Sequence, residues 1–203
     1  MKTEESIRVD IKKIPDPNGI APNIVQEFPS ARRNFILRAK EKPAAESYAA
    51  GMLLHDVLNI RKDADLRITE TGKPYPADGS CFFSLSHSER IAVLAVAPIE
   101  IGVDTEPVRP LTDSLIRRVF TEEEKRFIDE DPLKNPILLW TRLEAMLKLS
   151  GEGIPGIDTR TESLIIPKGQ LYFHAIEFEG SIISTACAAN LPITQMNPDG
   201  TGS

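Results

Sequence analysis

The chain has 203 residues, 41% of them hydrophobic and 27% charged, with a formal net charge of -6. That length suits one ordinary domain or two small lobes, and the composition excludes a disordered chain. The acidic balance argues against a general nucleic-acid binder, which carries a basic face. No run approaches the roughly 20 apolar residues that span a membrane. Met1-Lys-Thr-Glu-Glu lacks the apolar stretch of a signal peptide, so a cytoplasmic protein is expected. Cys81 and Cys187 lie in apolar runs without Cys-x-x-Cys spacing and are expected to be reduced.

Residues 14–30, rich in proline and asparagine, read as a surface segment. Pro29-Ser30 opens a basic stretch holding Arg32, Arg33, Arg38 and Lys40. Pro43 suits the first turn of a helix running to about Leu58, with Tyr48, Met52 and Leu53 inward. Residues 66–69 alternate like a short strand, which Thr71-Gly-Lys-Pro74 turns. Ile91–Ala97 is a continuous apolar run of strand length; with the next strand, ending at Asp104, it makes a natural antiparallel hairpin.

Pro107 and Pro110 mark a break, where a lobe boundary is expected. Leu111, Leu115, Ile116 and Val119 have helical spacing, and Thr121-Glu-Glu-Glu124 has the capping-box pattern. Pro136 starts a helix that Ser150-Gly151 ends. Strands follow near residues 162–166, 170–178 and 181–189, the last two joined at Gly180. The tail beyond Pro192 is expected to be disordered. The sum is an α+β chain of two lobes, residues 1–107 and 108–192, followed by a tail at 193–203.

Strand side chains alternate, so within Ile99-Glu-Ile-Gly-Val-Asp104-Thr-Glu106 the residues Gly102, Asp104 and Glu106 share a face. In the later helix Trp140, Glu144 and Lys148 stand four apart in one stripe. Three carboxylates gathered by a fold repel one another unless a cation lies among them. Asp104, Glu106 and Glu144 therefore suit a hard divalent ion such as Mg²⁺ that engages a substrate phosphate. Each piece also has a plainer reading: acids ending a strand in water, and a surface Glu144–Lys148 pair worth roughly 0.3–0.5 kcal/mol. The chain's one tryptophan on the same stripe favours a site. Ser84-Leu-Ser86-His87-Ser88 offers donors suited to gripping a phosphate. It also reads as a turn with capping hydroxyls, or as a Ser–His dyad, although adjacent strand residues face opposite ways.

Taken in order, Gly72-Lys73-Pro74, Ser84-Leu-Ser86-His87-Ser88, Gly102-Val-Asp104-Thr-Glu106 and Trp140-x-x-x-Glu144-x-x-x-Lys148 closely resemble one family. It is the 4'-phosphopantetheinyl transferase superfamily, in its larger two-lobed, surfactin-synthetase-activating type. The resemblance spans about residues 29–153; Phe120-Thr-Glu-Glu-Glu124 and Gly151-Glu-Gly153 share it. It implies two similar lobes related by a pseudo-twofold axis, each a small antiparallel sheet packed with helices, in a monomer. It implies transfer of the 4'-phosphopantetheine arm of coenzyme A to a serine of an apo acyl or peptidyl carrier protein, releasing 3',5'-ADP. Mg²⁺, with Mn²⁺ as the alternative, would span the pyrophosphate, held by Asp104, Glu106 and Glu144.

On the same resemblance the catalytic residues would be Glu144, Lys148 and Asp104, with Glu144 taking the serine proton and Lys148 offsetting charge on the pyrophosphate. Coenzyme A would be held by Lys73, Pro74, Ser86, His87 and Lys148. His87 would lie near the 3'-phosphate, which Arg32 or Arg38 would also reach. Both arginines read equally as an exposed basic helix face. The chain departs from the family at Leu143, where a lysine is usual, at Ser84, where asparagine is commoner, and at Thr105, usually isoleucine or leucine. The cation missing at Leu143 is expected to lower activity or shift substrate choice. Carrier proteins are generally acidic, so Arg117, Arg118 and Lys125 are expected to form a basic docking surface. The same carboxylates would also serve a metal-dependent coenzyme A or pyrophosphate hydrolase, and a decayed member would bind coenzyme A or carrier without turnover.

Overall fold

A computed structural model of the chain describes residues 6–70, 72–151, 162–165, 171–198 and 202. Its elements are β1 (Ile7–Lys13), α1 (Pro22–Val25), α2 (Ser30–Arg38), α3 (Glu41–Leu58), β2 (Leu66–Ile68), β3 (Pro74–Pro76), β4 (Phe82–His87) and β5 (Ile91–Ala97). They continue with β6 (Ile101–Pro107), α4 (Asp113–Val119), α5 (Glu122–Glu130), α6 (Asn135–Ser150), β7 (Tyr172–Phe178), β8 (Ser181–Cys187) and β9 (Ile193–Met196). This is an α+β fold of small, largely antiparallel sheets packed with helices. It divides into two units: Met1–Ile99 with Leu191–Ser203, and Glu100–Asn190.

The first unit is organised on a sheet of order β4-β5-β1-β9. β5 is central and almost wholly buried, which is why its sequence is a continuous apolar run rather than an alternation. α3 lays Ala49, Ala50, Leu53 and Leu54 against Phe83, Ala92 and Leu94. A left-handed Asn59 (φ 52°) ends that helix, its N–H donating to Leu54 O. Gly51 lets Phe28 and Arg32 lie flat on α3; a Cβ there would stand 2.6 Å from the Phe28 ring and 2.9 Å from Arg32 Cδ. The β2–β3 hairpin carries Lys73 at its turn, where Lys73 N donates to Thr69 Oγ1 at 2.9 Å.

The second unit is a three-stranded antiparallel sheet, β6-β8-β7, with α6 on one face. α6 is pinned by a buried hydroxyl pair, Thr141 Oγ1 to Ser184 Oγ at 2.7 Å. It stops at Gly151 (φ 73°), whose N–H donates to Leu147 O. The capping box at α5 is present as read: Thr121 N donates to Glu124 Oε2 at 2.9 Å and Glu124 N to Thr121 Oγ1 at 3.3 Å.

Four expectations are corrected. Ile91–Ala97 does not pair with the strand ending in Asp104; β5 pairs with β1 and β4, and β6 pairs with β8. The division therefore falls at Ile99/Glu100, not 107/108, because β6 joins its partners' unit. Pro107 and Pro110 mark the end of that strand rather than a change of unit. The tail is ordered at β9, which pairs in parallel with β1 from Ile7↔Ile193 to Asp10↔Met196. Residues 162–165 form bends, not a strand. The remaining positions of these expectations, namely Thr71, Glu152, Gly153, Ile166, Gln170 and residues 199–201 and 203, lie outside the described residues.

Candidate active site

Gly102 decides how β6 meets α6. A Cβ at this position would collide with Ala145 O and stand 2.8 Å from Leu149 N, both backbone atoms of the helix. The bare glycine brings strand and helix together, and two residues on, Asp104 points to the same face. Its side chain is 8% exposed, and Lys148 Nζ donates to Asp104 Oδ1 at 2.8 Å. Glu106 follows on that face, 3.5 Å from Arg109 Nη2. Glu144, half-buried, sits one turn before Lys148 on α6.

Burial, and then the Asp104 charge, push Glu106 above the ordinary carboxylate range. Burial and Asp104 do the same to Glu144, with Lys148 opposing and Glu106 adding. The three carboxylates thus repel one another in a partly desolvated place, as the donor chemistry of a hard divalent cation requires. Among the described residues, however, no group of three or more His, Cys, Asp or Glu side chains is arranged to hold a metal ion.

These shifts set a pH dependence. A carboxyl whose folded pKa is raised stabilises the fold fully below its unfolded pKa and loses that contribution as pH rises through the folded value. At neutral pH, Glu144→Gln is therefore expected to raise the melting temperature in the absence of divalent salt. Discounted for solvent screening, the rise is roughly 1–2 °C. It should vanish below the ordinary carboxylate pKa; thermal unfolding at several pH values checks it.

Leu143 requires a correction. It is fully buried in the core of the second unit, with Leu139, Leu147, Ile137 and Val119, not beside Asp104. Thr105 is also buried, on the face of β6 opposite Asp104. Trp140 packs against that same core, which gives it a structural role. Arg142 was not singled out by any local pattern. Its Nη1 donates to Leu164 O at 2.6 Å, and its guanidinium lies 5.7 Å from the Phe173 ring centroid. Glu124 Oε1 accepts from Leu164 N at 3.2 Å, so two charged side chains hold the backbone of one buried leucine.

The remaining candidates belong to the first unit. Arg32 turns inward: Nη1 donates to Ser47 O at 3.0 Å and Ser47 Oγ at 3.3 Å, and burial pulls its pKa down. His87 Nδ1 is 3.8 Å from Glu46 Oε2. Arg32 and His87 thus converge on adjoining residues of α3. Arg38 is exposed at the end of α2 and is not part of that convergence. Ser86 is buried and alternates with His87, so its hydroxyl leaves the opposite face of β4. Lys73 and Pro74, half-buried, sit where the β2–β3 hairpin turns.

Residues 100–185, which include Asp104, Glu106, Glu144 and Lys148, match the 4'-phosphopantetheinyl transferase superfamily. Over these residues the chain is similar to that superfamily. The chain is similar to 4'-phosphopantetheinyl transferase HetI of Nostoc sp. (strain PCC 7120 / SAG 25.82 / UTEX 2576), 32% identical over 142 residues, covering 64% of this chain and 57% of the relative. It is similar to 4'-phosphopantetheinyl transferase psf-1 of Bacillus pumilus, at 30% over 108 residues, 50% of this chain and 46% of the relative. A third likeness is to the 4'-phosphopantetheinyl transferase of Bacillus subtilis, 34% over 95 residues, 43% of this chain and 41% of the relative. The chain spans about half the length of the curated relatives it matches.

Proposed function

We propose that this chain transfers the 4'-phosphopantetheine arm of coenzyme A to a serine of an apo acyl or peptidyl carrier protein. The observation that carries the reading is the Asp104–Lys148 pair beside Glu144, all within the segment that matches the superfamily. The serine oxygen attacks the phosphorus nearer the pantetheine, the bond to the second phosphate breaks, and 3',5'-ADP leaves. Glu144 receives the serine proton as general base. The Lys148 ammonium offsets the charge that grows on the leaving pyrophosphate oxygen. Asp104 fixes the ammonium through its 2.8 Å contact. Mg²⁺ or Mn²⁺, when held by Asp104, Glu106 and Glu144, would supply Lewis-acid polarisation of the pyrophosphate.

At the other end of coenzyme A, Arg32 and His87 receive the 3'-phosphate, supported by their convergence on α3. Lys73 and Pro74 complete the nucleotide contacts in this reading. Calorimetric titration tests it: Arg32→Ala and His87→Ala should each weaken coenzyme A binding about tenfold, a loss of roughly 1.4 kcal/mol. Affinity for 3'-dephospho-coenzyme A should be unchanged. Equal losses for both ligands would contradict the assignment.

Arg117 and Arg118 are exposed on α4 and provide the basic surface for an acidic carrier. Lys125 adds less, since Glu122 holds its ammonium at 2.8 Å. Reversing both arginine charges should raise the carrier KM severalfold and spare coenzyme A affinity; an unchanged carrier KM in steady-state kinetics would remove this surface. A cytoplasmic monomer is the proposed setting. Among the described residues no helix is long and apolar enough to cross a membrane.

A further inference from the structure

A carboxylate stands between the two cationic candidates of the first unit. Glu46 lies on α3 immediately before Ser47, whose carbonyl and hydroxyl hold the Arg32 guanidinium. Its side chain is only 16% exposed, and its Oε2 lies 3.8 Å from His87 Nδ1. That separation is too long for a hydrogen bond, so the two groups meet through charge rather than through a shared proton. What Glu46 brings to His87 is negative charge in a partly desolvated place, where charges act on one another more strongly than in water. One helical turn earlier on α3, Lys42 Nζ is 3.9 Å from Glu89 Oε1, two residues beyond His87. Glu46 and Glu89 thus offset the formal charges of Arg32 and Lys42 around the imidazole. A phosphate dianion arriving at Arg32 and His87 meets a carboxylate as well as a guanidinium.

We propose that Glu46 is a specificity residue of this subsite: its carboxylate repels the arriving 3'-phosphate and narrows the preference for coenzyme A over 3'-dephospho-coenzyme A. This rests on the placement of the 3'-phosphate at Arg32 and His87 in the reading above. A 3'-hydroxyl carries no charge for the carboxylate to repel, so the cost falls on the phosphorylated ligand alone.

The test is calorimetric titration of the full chain with coenzyme A and, separately, with 3'-dephospho-coenzyme A. The variants are Glu46→Gln and Glu46→Asp, with His87→Ala as the reference for the subsite. Glu46→Gln should tighten coenzyme A binding about fivefold, by a gain that shrinks at high salt, and leave the dephospho form unchanged. Glu46→Asp, which keeps the charge, should hold the ratio of the two affinities near wild type. Unchanged or weaker coenzyme A binding by Glu46→Gln overturns the proposal, because the carboxylate would then be indifferent to the phosphate or support the imidazole that receives it. An equal change for both ligands overturns it too, since the effect would not involve the phosphate. The reading beneath it is judged separately. If His87→Ala weakens both ligands equally, the 3'-phosphate does not lie here, and this role for Glu46 falls with it. If His87→Ala weakens coenzyme A alone while Glu46→Gln changes nothing, the subsite stands and only the proposal is lost.

Discussion

Leu143→Lys is expected to lower the melting temperature by about 10 °C, although the family that the sequence resembles usually has a lysine there. Leu143 is 0% exposed and packs with Ile137, Leu139 and Leu147. A lysine there must either bury its ammonium in this core or force its stem out past packed leucines. Losing the hydrophobic contact and desolvating the charge costs on the order of 3–5 kcal/mol. Turnover should fall with the folded fraction, and coenzyme A affinity of the folded remainder should hold. Differential scanning calorimetry with parallel kinetics checks this. An unchanged melting temperature with higher turnover would mean that the side chain reaches the site by snorkelling out of the core.

Gly102→Ala should be the most damaging single methyl in the second unit. The added carbon meets Ala145 O and Leu149 N, which are helix backbone and cannot rotate aside. α6 must move off β6, at a cost of about 3 kcal/mol, or roughly 6–12 °C. The functional loss should exceed the loss of stability. Asp104 stands on β6, while Glu144 and Lys148 ride on α6, and a misplacement of about 1 Å between reacting groups costs on the order of 10²-fold in rate. Single-turnover rates at a temperature where the variant is fully folded separate the two effects. A wild-type rate and melting temperature would show that strand and helix do not need this close approach.

What the sequence makes legible is what local physics determines. The capping box at Thr121 and Glu124, the stop at Gly151 and the buried apolar strand β5 each follow from a few adjoining residues. The pairing of β6 with β8 and of β9 with β1 joins segments far apart in the chain, and no local pattern announces either. The mistaken hairpin and the mistaken tail share that cause.

The site shows the same division. Asp104 and Glu144–Lys148 follow from strand alternation and helical spacing, and the structure adds the Lys148–Asp104 contact between them. Leu143 was legible in principle: Leu139, Leu143 and Leu147 stand four apart, an apolar stripe that belongs in a core. Its neighbour Glu144, the more conspicuous residue, masks that stripe. Arg32 and Arg38 look alike in sequence, yet Arg32 shares a stripe with buried Ile36 and Arg38 shares one with exposed Phe35. Arg142 depends on a leucine far along the chain, Leu164, and no nearby residue reveals it.

The most direct measurement is intact-mass analysis of a panel of apo carrier proteins incubated with coenzyme A, Mg²⁺ and this protein, beside a Glu144→Ala control. A phosphopantetheine-sized gain on at least one carrier, absent from the control, is the expected result. Consumption of coenzyme A with no carrier gaining mass, or an equal gain with Glu144→Ala, would contradict a transferase that uses Glu144 as its base.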